Sequence, residues 1–232
     1  MLSRLPQPAH MRCLVLDIDD TLFLERDYVS SGFHAVASCV HEACGVEGFY
    51  EAAWTEFVAG QRGDIFNRAL RTLGIEPAEP LLNRLVAAYR SHAPTIALLS
   101  DAREALAVAH RTYRLAIVSD GPLESQRAKA TALNLEQWAA PIILTEHYGP
   151  AFHKPSVRAF QMVQDAFAAN GRDCCYVGDN PAKDFLGPKA LGWHTVRVRR
   201  PQGLHAQRPS DSNVDRETES LANLDDVLQQ FE

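Results

Sequence analysis

The sequence predicts an α/β fold of the Rossmann-like, doubly wound kind: a parallel sheet with helices on both faces and a small helical segment inserted after the first strand. Three observations lead to it. Short apolar runs recur along the chain with helical patterns between them, and such alternation means parallel strands joined by crossover helices. One long stretch near the N-terminus has helical periodicity and no convincing strand. Acidic and turn-forming residues follow directly on the apolar runs, at the edge where open α/β sheets bind ligands.

Taken in order, residues 12–16 are short, apolar and followed by acids, the pattern of a strand buried on both faces. Similar runs lie at 114–119, 141–145, 174–178 and 194–198. Between them, residues 101–110 open with Asp101 and Glu104 in the manner of a capping box. A second helix covers 123–133 after Gly121-Pro122, and a third covers 156–170 behind Pro155, a favourable first-turn residue. A fourth covers 181–191 and ends at Gly192. In the insert, Phe33, Val36, Ala37, Val40 and Cys44 share one helix face ended by Gly45. Ile65, Phe66, Ala69, Leu70 and Leu73 share another ended by Gly74, and Leu81, Leu82, Leu85, Val86 and Tyr89 a third. Residues 49–58 form a less regular helix. These stripes read as packing surfaces. Residues 202–218 are polar and loop-like, and 221–231 suggest a terminal helix. The expected division is a core over 1–23 and 95–232 and a helical domain over 24–94.

The chain has 232 residues, enough for a core plus a small insert, and 46% hydrophobic against 22% charged residues is the balance of a globular protein. A net charge of −6 argues against sequence-blind nucleic-acid binding, which needs a basic face. The dense basic run Arg197, Arg199 and Arg200 before Pro201 reads as the solvated end of a strand. Cys13, Cys39, Cys44, Cys174 and Cys175 include no CxxC pair and read as small hydrophobes of a reducing compartment. Residues 1–10 lack an apolar run of signal-peptide length, and no stretch approaches the roughly 20 apolar residues of a membrane span. The expectation is a cytoplasmic protein with no membrane partner.

Chemistry concentrates at four places. Asp17-Ile18-Asp19-Asp20-Thr21 ends the first strand, and residues two apart in an extended segment point the same way, so Asp17 and Asp19 project together. Facing carboxylates repel unless a cation or a proton is shared, and Mg²⁺ with oxygen ligands solves this; a solvated acidic loop is the plain alternative. Gly178-Asp179-Asn180-Pro181-Ala182-Lys183-Asp184 puts Asp179 at a strand end and Asp184 in a first helical turn. Asp179 could supply a further metal oxygen, or Asp179 or Asn180 could cap the helix. Ser119 ends another strand before Asp120-Gly121-Pro122, where a hydroxyl and backbone N–H groups can bind phosphate oxygens, or a simple turn can form. Lys154, in His153-Lys154-Pro155, could offset negative charge on phosphate and on Asp17, or lie on the surface.

In this order and at these strand ends, the four motifs resemble the haloacid dehalogenase superfamily, over about 12–198, and the helical insert looks like the small type 1 cap of its phosphatase branch. The resemblance implies a Mg²⁺-dependent phosphohydrolase acting on a small phosphorylated metabolite such as a sugar phosphate, a nucleotide or a phosphoglycolate-like acid. Asp17 would attack phosphorus and form an aspartyl-phosphate. Asp19 would protonate the leaving oxygen and then deprotonate water. Asp17, the Asp19 backbone carbonyl and Asp179 would hold Mg²⁺. Ser119, the Asp120-Gly121 turn and Lys154 would hold the phosphoryl group, with Thr21, Asn180 and Asp184 in support. The family often has Asn where Asp120 stands; the sharp Gly121-Pro122 turn suggests that this carboxylate points away from phosphate. Arg26 and Tyr28 could line a cap entrance, and Arg62-Gly63 could form a substrate loop. A phosphomutase would use the same acids. A dehalogenase of the superfamily typically lacks the second Asp of the first motif, and a non-catalytic relative usually lacks the nucleophile or its partner.

Overall fold

The computed structural model describes residues 11–231; the signal-peptide reading of 1–10 lies outside them. The chain divides into two compact units, one running to Glu25 and resuming at Ala97, the other spanning Arg26–Ile96.

The first unit holds a six-stranded sheet of β1 (Cys13–Leu16), β2 (Arg114–Ser119), β3 (Ile142–Leu144), β4 (Cys174–Gly178), β5 (His194–Val198) and β6 (Arg216–Thr218). Their order is β3-β2-β1-β4-β5-β6, and every neighbouring pair is parallel. The chain moves outward from β1 through β2 to β3, then crosses back to place β4 on the other side of β1. The crevice at that reversal lies between the carboxyl ends of β1 and β4, paired in the register Leu16↔Val177. Because side chains alternate across a strand, Cys13, Val15, Ala116, Val118, Cys174 and Tyr176 face one way. They bury Phe160, Val163 and Phe167 of α7 (Arg158–Phe167), which sit on one helical face. Leu14, Leu16, Ile117 and Val177, in the opposite register, are also buried, so both faces are covered.

The remaining helices of this unit are α5 (Ser100–Thr112), α6 (Leu123–Ala132), α8 (Leu186–Ala190) and α9 (Leu224–Gln229). In the second unit α1 (Glu25–Cys44, from Arg26 on), α2 (Phe49–Val58), α3 (Ile65–Thr72) and α4 (Glu79–Ser91) bury Phe33, Phe49, Leu70 and Leu85. Phe66 meets Phe33, Phe49 and Tyr89 edge-on, with ring centroids 5.8 to 6.1 Å apart. No helix among the described residues is long and apolar enough to cross a membrane.

Several local readings are corrected. Asp101 forms no capping box, because its carboxylate binds Arg200, Ser220 and the Leu221 amide instead. Pro155 does not open a helix: α7 starts at Arg158, and the Ser156 amide bonds the His153 carbonyl in a turn. α8 starts at Leu186, not 181, so Asp184 lies in a turn before the helix. β6 lies in the stretch read as loop; its pattern is short and polar because it is a sheet edge. The terminal helix is shorter than 221–231. Cys44 is exposed, and Cys39 sits on the buried side of α1.

Phe160 is fully buried and meets Tyr176 and Trp193 edge-on. Phe160→Ala is expected to lower the unfolding free energy by about 3–5 kcal/mol, read as a shift in the urea midpoint; a shift under about 1 kcal/mol would contradict this packing.

Candidate active site

Hydrogen bonding carries the parallel sheet one residue beyond β1, where the Asp17 amide donates to the Val177 carbonyl at 2.9 Å. Asp17 thus sits beside the end of β4, one strand from Asp179. Carboxylate oxygens of Asp17, Asp179 and Asp184 all lie within 4.8 Å of one another, and all three residues are buried. Uncompensated, such a group would not stay ionised.

Lys154 supplies part of the compensation. Its Nζ lies 2.9 Å from Asp17 Oδ2, 2.8 Å from Asp184 Oδ1 and 3.0 Å from Tyr176 Oη. Two carboxylates and one phenol thus surround the ammonium. Tyr176 in turn donates to the Val118 carbonyl at 3.2 Å. Burial pushes the Asp17 carboxyl up, but Lys154 and then Lys183 outweigh it and hold Asp17 below the ordinary carboxylate range. Lys154 is raised well above the ordinary lysine value: burial opposes its charge, and Asp17 and Asp184 overcome that. Asp179 goes the other way, driven well above the carboxylate range by burial and then by Asp184 and Asp17. Asp17 Oδ1 is buried and has no hydrogen-bond partner among the described residues. An orphaned carboxylate oxygen beside a carboxyl driven toward its neutral form, with oxygen donors only, fits a hard divalent cation.

The loop after β4 is built around Asp184. Its Oδ2 accepts the Asp179 and Asn180 amides at 3.1 and 2.7 Å. A Cβ on Gly178 would stand 2.6 Å from that oxygen, so only glycine lets the carboxylate approach. Asn180 Oδ1 accepts the Ala182 amide at 3.0 Å, a local turn rather than a helix cap.

The loop after β1 depends on Asp20, which the sequence reading left without a role. Asp20 adopts the left-handed region at φ 48° and accepts the Glu25 and Leu204 amides at 2.9 and 2.7 Å. Thr21 is fully buried. Its carbonyl accepts from Arg200 Nε and Nη2 at 3.0 and 2.7 Å. Arg197, also fully buried, donates from Nε to the Asp179 carbonyl at 3.0 Å and from Nη1 and Nη2 to the Arg208 and His205 carbonyls. The run read as a solvated strand end therefore places one buried guanidinium on each acidic loop. The residue types gave no sign of this, because the acceptors are backbone carbonyls, which any sequence carries.

At the end of β2, buried Ser119 donates to Gln126 Oε1 at 3.4 Å. Asp120 accepts Thr145 Oγ1 at 2.6 Å and the Lys154 amide at 3.1 Å, so its carboxylate is taken up by the Lys154 loop. As the sharp turn suggested, this carboxylate is engaged by protein groups. Gly121 has φ 144°, and a Cβ there would meet Gln126 Nε2 at 2.6 Å. Asp19 stands apart from the Lys154 cluster, with its carboxylate on Lys129 at 2.6 Å and Gln126 at 2.8 Å. In the second unit, exposed Arg62 donates to the Phe57 and Gln61 carbonyls at 2.8 and 2.6 Å, closing the end of α2. Arg26 lies 5.4 Å from the Trp54 ring centre, and Tyr28 is buried against Tyr89 and His92.

A family model described as haloacid dehalogenase-like hydrolase matches residues 11–192. The chain is 28% identical over 242 residues to the phosphoserine phosphatase of Thermus thermophilus, covering 87% of this chain and 93% of the relative. It is 23% identical to the glyceraldehyde 3-phosphate phosphatase of Methanopyrus kandleri, over 95% of this chain and 98% of that one. Among solved structures, the HAD-hydrolase YfnB of Bacillus subtilis, bound to magnesium, superposes with a TM-score of 0.67 at 18% identity, covering 94% of this chain and 99% of that one. A 2-haloacid dehalogenase from Pseudomonas syringae does so with a TM-score of 0.64 at 19% identity, over 96% and 100%. These two likenesses concern the fold. The match over most of the chain places it in the haloacid dehalogenase-like hydrolase family, and it is an enzyme of the hydrolase class.

Replacing Lys154 by Met leaves Asp17 and Asp184 buried without their cation. The Asp17 carboxyl is depressed in the folded state, so this contribution is present above the unfolded carboxylate value, about 4, and is lost as pH falls through the lower folded value. Lys154→Met is expected to cost about 3–5 kcal/mol near neutral pH, less in acid, by urea unfolding across pH; a small, pH-independent loss would contradict the ion pairing.

Proposed function

We propose that this haloacid dehalogenase-like hydrolase is a phosphohydrolase that cleaves a small phosphate monoester, with Asp17 as nucleophile and Mg²⁺ as cofactor. The observation that carries the reading is the state of Asp17. One carboxylate oxygen is paired to Lys154 and the other is buried without a partner, so the group is held ionised and oriented at the carboxyl edge of the sheet. The two relatives named as phosphatases support phosphate ester chemistry. The presence of both Asp19 and Asp179 in the chain favours phosphoryl transfer over attack on a carbon–halogen bond.

Asp17 attacks phosphorus and the ester P–O bond breaks, leaving an aspartyl-phosphate. Asp19 gives its proton to the departing oxygen. Water then attacks phosphorus, Asp19 takes its proton, and the Asp17 carboxylate is regenerated. Ser119 Oγ and the backbone N–H groups of the Asp120-Gly121 turn bind the equatorial phosphoryl oxygens. Lys154, held between Asp17, Asp184 and Tyr176, acts on the phosphoryl group as a fixed positive charge. Asp184 anchors Lys154 and, with Asn180, shapes the Asp179 loop, while Thr21 supports the loop after β1. The carboxylates of Asp17 and Asp179 and the backbone carbonyl of Asp19 would hold Mg²⁺, which would supply charge neutralisation for the phosphoryl oxygens.

The helical unit Arg26–Ile96 corresponds to the cap that the family resemblance implies, and small esters suit a capped site. The relatives' named substrates, phosphoserine and glyceraldehyde 3-phosphate, are esters of that size. A cytoplasmic location accords with five unpaired cysteines, four of them buried.

Phosphate release from a panel of small phosphate esters is the test. Turnover is expected with Mg²⁺ and is expected to stop with EDTA or with Asp17→Asn, while the variant keeps its fold by circular dichroism. Near-normal release by Asp17→Asn would remove the nucleophile assignment, and release in EDTA would remove the metal. Mg²⁺ is also expected to raise the Tm of the wild type and to leave Asp179→Asn unmoved; equal shifts in both would place the ion elsewhere.

A further inference from the structure

Helix α6 has few apolar residues, yet Ser125, Gln126, Lys129 and Ala130 on it are buried. Burial of a lysine is uncommon and needs a specific partner. Residues three apart share a helix face, so Gln126 and Lys129 project together. Both reach the same carboxylate: Lys129 Nζ lies 2.6 Å from Asp19 Oδ1, and Gln126 Nε2 donates to Asp19 Oδ2 at 2.8 Å. The Gln126 amide has one workable orientation, because Nε2 also donates to the Asp120 carbonyl at 3.1 Å while Oε1 accepts from Ser119. The Lys129 ammonium also lies 5.9 Å from the Phe23 ring centre. Separate donors on the two oxygens set the plane of the Asp19 carboxylate as well as its position.

Asp17 is held by Lys154, on a different loop. The two acids therefore have separate supports, and the support of Asp19 can be removed without touching that of Asp17.

We propose that Gln126 and Lys129 are positioning residues for Asp19, aiming it at the leaving oxygen; the inference rests on the phosphohydrolase reading above. In the first step a bond forms between an Asp17 oxygen and phosphorus, the ester P–O bond breaks, and its electron pair goes to the leaving oxygen, which takes the Asp19 proton. In the second step water bonds to phosphorus and gives its proton to Asp19, and the pair of the broken Asp17–phosphorus bond returns to the Asp17 carboxylate. Losing the support of Asp19 impairs proton delivery and leaves attack by Asp17 intact.

An ester whose leaving group needs no proton separates the two effects. The test compares kcat/KM for p-nitrophenyl phosphate and for a primary-alkyl phosphate in wild type, Lys129→Met, Gln126→Met and Asp19→Asn, each checked by thermal melting. Lys129→Met is expected to lose about 100-fold on the alkyl ester and to change little on the aryl ester. Gln126→Met is expected to show a smaller loss with the same selectivity, and Lys129→Arg to restore part of it. If Lys129→Met does not fold, the selectivity of Gln126→Met decides. Equal losses on both esters would mean a structural role and overturn the inference, as would unchanged alkyl activity. A wild type that hydrolyses neither ester would sink the phosphohydrolase reading itself. Selectivity in Asp19→Asn but in neither α6 variant would sink only the positioning role.

Discussion

The arrangement at the sheet edge depends on one buried ammonium. Lys154 lies within 3.0 Å of Asp17, Asp184 and Tyr176, and without it two carboxylates would stand unpaired in the interior. Its charge does not balance the whole cluster, because Asp179 remains driven well above the carboxylate range. On the phosphohydrolase reading proposed above, a divalent cation would satisfy the acids, and a phosphate ester would bring charge that Lys154 and the ion could both meet.

The fold accounts for how charges of one sign come so close. Parallel strands β1 and β4 are adjacent, so one acid placed directly after each is enough to bring Asp17 and Asp179 together. The two loops are then secured through their backbone rather than their side chains. Arg197 holds the Asp179 carbonyl and Arg200 the Thr21 carbonyl, while Asp184 and Asp20 accept backbone amides on the same loops. Asp19 follows a different plan, since its carboxylate is met from α6 and so belongs to a support independent of Lys154.

Much of this was legible in the sequence. β2, β4 and β5 fell where their apolar runs placed them, and α2 spans 49–58 as its pattern suggested. The strand-end positions of Asp17, Ser119 and Asp179 follow from those runs alone. What escaped has a common cause. β6 is too short and polar to have a period, and the buried guanidinium groups of Arg197 and Arg200 are satisfied by backbone carbonyls, which leave no trace in residue type. Asp101 looked like a capping residue and Asp184 like a first-turn residue, but Arg200 and Lys154, far away in the chain, pair with them instead. The one signal available for α6 was its pair of long polar side chains three apart, which reads as a solvated face until the burial is known.

The central claim, that Asp17 carries the phosphoryl group, is tested most directly by trapping. Enzyme turning over p-nitrophenyl phosphate with Mg²⁺ would be quenched in acid, reduced with borohydride and digested for mass spectrometry. The expected result is homoserine in place of aspartate at position 17, the product of reducing an acyl phosphate, absent when substrate is omitted. Robust turnover with Asp17 unmodified, or with the label on another carboxylate, would contradict the claim.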